Sequence, residues 1–190
     1  MRSSPQDRHT ERGFSLIELL VALGITGVLT GMAVIQITAV RPAMKGDGAM
    51  RVILSQMRTA RELAITQRRY MRVTFTAPNR IDIIREEVPG PTTTVVSTTH
   101  LEGGVQYAVV TGVPDTPDAF GGGSPINFGV VTNVKFTPDG TLVNQDGAST
   151  NGSVFLAYPE EARSARAVTV LGSTGRVRGF RWDGRNWKLV

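Results

Sequence analysis

The most unusual reactive group in the chain is Glu18, the only charged residue in the otherwise apolar stretch 14–40. Counted from Phe14 it stands fifth. An ionisable group inside so greasy a run calls for a specific partner. Were the backbone cut between Gly13 and Phe14, the new amine of Phe14 would sit one helical turn before Glu18. The amine of a neighbouring chain would serve equally well. The plainer alternative leaves Glu18 shallow in a headgroup layer, reaching back to water.

A second set lies near the C-terminus in Gly175-Arg176-Val177-Arg178. Residues two apart on a strand point to the same side, about 6.5–7 Å from one another, and guanidinium groups suit phosphate geometry. Arg181 falls on the opposite side, and Trp182 and Trp187 are near enough to stack nucleobases. Against this stands an edge strand kept soluble by its arginines, with both tryptophans in the core or a subunit interface.

Other chemistry is poorly represented. There is no Cys, and the two His, His9 and His100, lie far apart, so a disulfide framework, a thiol nucleophile and a His-rich metal site are not expected. Glu86-Glu87 and Glu160-Glu161 sit beside Pro or charged residues and read as solvated turns. Gly121-Gly122-Gly123 is followed by neither a Lys-Ser/Thr pair nor a helix, as a phosphate loop would require. No catalytic set and no cofactor are expected.

The elements that must position Glu18 come first. Residues 1–13 are polar and carry Arg2, Arg8 and Arg12; the run Leu19–Val40 that follows is 22 residues without a charge. About 20 suffice to cross a bilayer. The three leading arginines favour a cytoplasmic N-terminus, although Arg41 and Lys45 weaken the bias. A secretory signal has a shorter apolar core, ending in a small-residue cleavage site. Here the small residue, Gly13, precedes the run, so cleavage there would leave the apolar helix on the mature chain.

Pro42 and Gly46-Asp47-Gly48 predict a kink or short break. Helical spacing then resumes at Met50, Ile53, Leu54, Met57, Ala60 and Ala64, an amphipathic helix over about 49–69 whose apolar face packs on a sheet. Beyond Tyr70 the pattern is β. Residues 71–76 and 80–85 form a hairpin, strands follow at 93–100 and near 105–110, and 134–137 with 141–143 form a second hairpin around Pro138-Asp139-Gly140. Further strands fall at 152–158, 167–171, 176–182 and 186–190. Residues 111–127, rich in Gly and Pro, read as a flexible, variable insertion rather than a site. The expected class is α+β, a long helix on an antiparallel β domain.

Charge is unevenly placed. Residues 41–72 hold eight Lys/Arg against Asp47 and Glu62, a net of +6; residues 163–190 again net +6; the middle, 73–162, nets −7. Two basic segments flanking an acidic one suit pairing within an assembly, or attraction of a polyanion.

The stretch Gly13-Phe14-Ser15-Leu16-Ile17-Glu18, behind a short basic leader, resembles the class III signal of type IV prepilins and pseudopilins. The resemblance implies a leader 1–13 and cleavage between Gly13 and Phe14 by a prepilin peptidase, with N-methylation of Phe14. It also implies a membrane and filament-core helix 14–41, in which Glu18 sets subunit register. The chain departs from major pilins in lacking a Pro within that helix before Pro42, although Gly24, Gly27 and Gly31 permit bending and close helix approach. Farther on, Phe136–Thr141, the strand Ser153–Tyr158 and the segment Val168 to Arg178 are similar to the GspH/FimT family of minor pseudopilins. That family implies a pilin-like fold with a periplasmic domain over 42–190. It also implies an inner-membrane origin, and as partners other pilins, an assembly platform, the peptidase and the bilayer. In the FimT branch a Gly-Arg-x-Arg motif is associated with DNA uptake, which makes Arg176 and Arg178 candidates for binding DNA. A membrane-anchored domain that never polymerises would leave the Gly13-Phe14 junction and Glu18 without a purpose.

Overall fold

The computed structural model describes residues 14–129 and 133–190, with side chains described throughout except at 33–40. The chain divides into two compact units, residues 1–40 and 41–190.

In the first unit, helix α1 (Leu16–Gln67) begins where the Ser15 carbonyl accepts the amides of Glu18 and Leu19, at 3.0 and 3.1 Å. Leu16, Ile17, Leu19, Leu20, Val21, Leu23, Ile25, Val28, Leu29 and Met32 are all more than half exposed, on every side of the helix. Thr26 and Thr30 donate their hydroxyls to the carbonyls of Ala22 and Thr26, both at 2.7 Å. Their polarity is thus satisfied within the helix, as an apolar solvent requires.

The second unit carries the rest of α1 and two antiparallel sheets. The first sheet comprises β1 (Met71–Thr76), β2 (Arg80–Glu86), β3 (Thr93–His100), β6 (Asn133–Phe136) and β7 (Leu142–Val143), in the order β3-β2-β1-β6-β7. The second comprises β4 (Gln106–Tyr107), β8 (Gly152–Ala157), β9 (Arg166–Leu171), β10 (Arg176–Trp182) and β11 (Trp187–Leu189), in the order β11-β10-β9-β8-β4; β5 (Ile126–Asn127) also pairs with β8.

The apolar stripe Met50, Ile53, Leu54, Met57, Ala60 and Ala64 is buried. It shares one core with Met71, Val73, Ile81, Ile83, Val134 and Phe136 of the first sheet and Val154, Leu156, Val168 and Val170 of the second. Each such Met, Ile or Leu contributes about 1.5–3 kcal/mol by leaving water. Phe75 stacks on Phe128 at 5.6 Å and meets the edge of Tyr107 at 5.8 Å. Tyr107 donates its hydroxyl to the Arg80 carbonyl at 3.0 Å; burial, and secondarily the charge of Asp82, push its phenol above the ordinary range.

Three expectations need correction. Helix α1 is not broken at Pro42 or at 46–48. A side chain at position 46 would strike the Ser164 carbonyl, so Gly46 serves close packing rather than a turn. The guanidinium of Arg166, wholly buried, braces the same segment. Its Nε meets Asp47 Oδ1 at 2.6 Å and its Nη2 donates to the Ala43 carbonyl at 2.9 Å. The strand foreseen near 105–110 is only the two-residue β4; Val105 and Tyr107 are drawn into the core and the chain then leaves the sheet. Residues 111–127 are not a loose insertion. Apart from β5 they lie over the outer face of the second sheet, which is why every residue of β8 is buried on both faces.

Candidate assembly and anion-binding sites

Phe14 is 77% exposed, just ahead of α1, and Glu18 is exposed in the first turn, where a carboxylate complements the helix dipole. Gly13 and the leader 1–13 lie outside the described residues. The run of exposed apolar side chains after Glu18 cannot remain in water; a helix apolar all round is covered by lipid or by other helices. Over the described residues alone no helix is long and apolar enough to cross a membrane. The uncharged run Leu19–Val40 continues over 33–40, where side chains are not described.

The second candidate set is divided by the fold. Strand β10 alternates as expected: Val177 packs on the main core, while Phe180 joins Phe155, Ala167 and Trp187 in a second apolar cluster. Arg178 shares the outer side with Phe180 and is spent there. Its Nη1 donates to Asp118 Oδ1 at 2.7 Å, and Asp118 Oδ2 accepts the hydroxyl of Thr169 at 2.6 Å. Thr169 is the cross-strand partner of Arg178, so one carboxylate from the 111–127 loop pins both strands. The tryptophans are equally committed. Trp182 is only 8% exposed, and Trp187 lies 5.5 Å from it with its Nε1 donating to the Pro114 carbonyl at 2.8 Å. Trp182 offers no face for stacking a base, while Trp187 is half-buried and held by its ring nitrogen.

Arg176 remains exposed. The glycine before it has a structural reason: Gly175 has φ +62°, and a Cβ there would collide with the Gly140 carbonyl and come within 2.7 Å of Arg61 Nε. Arg61 Nε donates to that same carbonyl at 3.0 Å. The β9–β10 turn therefore docks on helix α1 and on the turn between β6 and β7. The result is a cleft lined by Arg58, Arg61, Glu62, Thr174, Gly175, Arg176 and Val177. Sequence reasoning missed Arg58 and Arg61; the excess charge of 41–72 was the available signal.

A long helix that opens as an exposed apolar rod with a carboxylate at its fifth position, and that packs its amphipathic continuation on antiparallel sheets, defines a type IV pilin-like subunit. Comparison with known proteins agrees. Residues 8–34 match the prokaryotic N-terminal methylation motif, and residues 49–175 match the model of the type II transport protein GspH, two thirds of the chain. The chain belongs to the GspH family of minor pseudopilins, and its N-terminal helix is a pilin-type membrane anchor. The crystal structure of the type IV minor pilin FimU from Pseudomonas aeruginosa shares the fold. It has 13% identity, covers 75% of this chain and 91% of FimU, and superposes with a TM-score of 0.50. A second crystal form of FimU gives 15% identity over 70% of this chain and 90% of FimU, with a TM-score of 0.47. No curated protein sequence matches significantly.

Proposed function

We propose that the chain is a structural subunit of a type II secretion pseudopilus or a type IV pilus. It is made as a precursor, cut between Gly13 and Phe14 by a prepilin peptidase, methylated at the Phe14 amine, and drawn from the inner membrane into a filament by an assembly platform. The N-terminus begins in the cytoplasm and the domain 42–190 faces the periplasm. The observation that carries this reading is the exposed carboxylate of Glu18 in the first turn of a helix exposed and apolar on every side. In lipid that charge is stable only when paired, and the amine released by cleavage supplies the cation. Cleavage thus converts a membrane-stored subunit into one that a neighbour can accept. The test is Glu18→Ala. The variant should insert and be processed normally but fail to enter filaments; normal incorporation refutes the pairing. Replacing Gly13 by a bulky residue should leave the leader attached, as read by mass spectrometry of the N-terminus.

A second reading, DNA binding for uptake, is supported by the exposure of Arg176, which makes no ion pair among the described residues. Arg178 would have to leave Asp118 to take part. Loss of binding on Arg178→Gln would favour the strand motif as the contact.

A further inference from the structure

The last strand of a β-sheet presents unpaired amides and carbonyls, and natural proteins shorten, charge or cover such an edge. The other end strands here are treated in that way. β4 and β7 are two residues long, with the Leu142 amide bonded to the Gly172 carbonyl, and β11 is three residues long and carries the exposed Lys188. β3 is different. Its eight residues, Thr93–His100, include no Lys, Arg, Asp, Glu or Pro, and Thr93 to Val96 are all exposed. The Glu87 amide reaches the Thr92 carbonyl at 2.9 Å and the Leu101 amide reaches the Asn79 carbonyl at 2.8 Å. These bonds fix the antiparallel alternation on either side of a bulge at Val96. The backbone groups of Thr93, Val95, Thr98 and His100 therefore point away from β2, and among the described residues nothing else in the chain bonds them.

Beside the C-terminal end of this edge lies an open, mainly apolar cleft of about 460 Å³. Met44, Gly48, Ala49 and Val52 of α1 line it with Thr99 and Gly103. Lys45 and Glu102 at the same cleft are of opposite sign, and Lys45 lies over the ring of Tyr158 at 4.7 Å. We propose that the β3 edge is a docking site for an extended, uncharged segment of another protein, which adds a strand to the first sheet and places an aliphatic side chain in the cleft. The backbone of β3 supplies the hydrogen bonds and the cleft selects the side chain. Ser97 and Thr99 face α1, with Ser97 Oγ 3.4 Å from Gln56 Oε1, so a residue placed opposite Thr99 on the added strand faces the helix as well and enters the cleft. A second copy of this chain fits less well. The antiparallel register that pairs Thr93 and Val95 with His100 and Thr98 of the other copy sets Thr94 against Thr99, a short hydroxylated side chain where the cleft takes an aliphatic one. The site lies within residues 41–190 and does not depend on entry into a filament.

The experiment titrates the full chain, in neutral detergent, into a fluorescein-labelled ten-residue peptide of alternating Thr and Val with one Leu, kept soluble by two terminal Lys. Anisotropy reads binding and amide hydrogen exchange maps it. At saturation, exchange at Thr93, Val95, Thr98 and His100 should slow about tenfold while β11 is unaffected. The same peptide with every amide N-methylated should not bind. A Cβ at Gly48 has open space around it, so Gly48→Leu fills the cleft without straining the helix and should weaken binding about tenfold or more. Thr98→Pro removes an outward amide but no bond to β2, and should weaken binding about fivefold. Leu189→Lys, on the edge of the other sheet, should change nothing. Unaltered tryptophan fluorescence certifies the fold of each variant. The proposal is overturned by absence of binding, by binding of the methylated peptide, by binding that survives Gly48→Leu or falls with Leu189→Lys, or by concentration-dependent dimers that dissociate on Thr98→Pro, which would give the edge to a second copy. Glu18→Ala should leave peptide binding at the parent's value, so a failure of the assembly reading registers separately.

Discussion

Removing Asp47 should be worse than removing Asp47 and its partner together. The Arg166 side chain has no exposure and four acceptors: Asp47 Oδ1 at 2.6 Å and the carbonyls of Ala43, Ala165 and Arg163 at 2.9, 2.8 and 3.0 Å. Asp47→Ala leaves that guanidinium facing only neutral carbonyls. Stranding a buried charge costs about 3–5 kcal/mol. Asp47 is itself 27% exposed, so we take the lower end, about 3 kcal/mol. For a domain of this size that lowers Tm by about 6–12 °C. Adding Arg166→Met removes the stranded charge and fills the same space with apolar atoms. The double variant should then be no less stable than Arg166→Met alone, a coupling of about 2–3 kcal/mol. Both tryptophans of the chain lie in the second sheet or its outer cluster, so their fluorescence follows unfolding of that domain in urea with the anchor helix held in detergent. Additivity within about 0.5 kcal/mol, or an Asp47→Ala variant as stable as the parent, would refute the view that this ion pair holds the helix through Pro42 and Gly46–Gly48.

Gly175→Ala places a methyl group on the Gly140 carbonyl at positive φ and should cost about 1–3 kcal/mol in urea unfolding; a loss below 0.5 kcal/mol would show that the docking of the turn is loose. Asp118→Asn should weaken the pin between the loop and the second sheet, exposing residues 111–121 to limited proteolysis at a rate clearly above the parent's; unchanged cleavage sites and rates would refute it. Asp183 accepts the amides of Asn186 and Arg185, both at 2.8 Å, and lies 3.0 Å from Lys188, so its carboxyl is held well below the usual carboxylate range by the two backbone bonds first and Lys188 next. Because the folded value is the depressed one, its contribution is complete above the unfolded range near pH 4 and is lost as pH falls through the lower folded value. Carboxyl NMR should show Asp183 still ionised where an unstructured Asp is half protonated; titration at the ordinary position would contradict the turn geometry.

Much of the fold was legible because it is written in local periodicity. The stripe from Met50 to Ala64 is the buried side of α1, and the hairpin around residues 77–79 pairs Met71 with Arg85 and Thr76 with Arg80. What escaped depends on contacts distant in sequence. Pro42 and two glycines announce a break by every local rule, yet Arg166, 119 residues after Asp47, holds the helix together. Asp118 reads as loop composition, but 60 residues on lies the guanidinium it neutralises. Neither partner carries a local mark of the other.

The four letters Gly175-Arg176-Val177-Arg178 illustrate how a motif's chemistry is reassigned by its surroundings. Read along the strand, they offer two equivalent guanidiniums on one side. In the folded chain the glycine is there to let a turn approach Arg61, the valine belongs to the core, and one arginine is consumed by the loop above it. Only Arg176 keeps its charge available, and its neighbours for that purpose come from α1, more than a hundred residues earlier. The capacity to hold an anion therefore rests on the docking of the β9–β10 turn against the helix. Substitutions that loosen that docking, Gly175→Ala first among them, should weaken the DNA binding proposed as the second reading without touching a single arginine. If Gly175→Ala loses stability while binding stays at the parent's value, the guanidiniums act from the helix alone and the turn contributes nothing to the cleft.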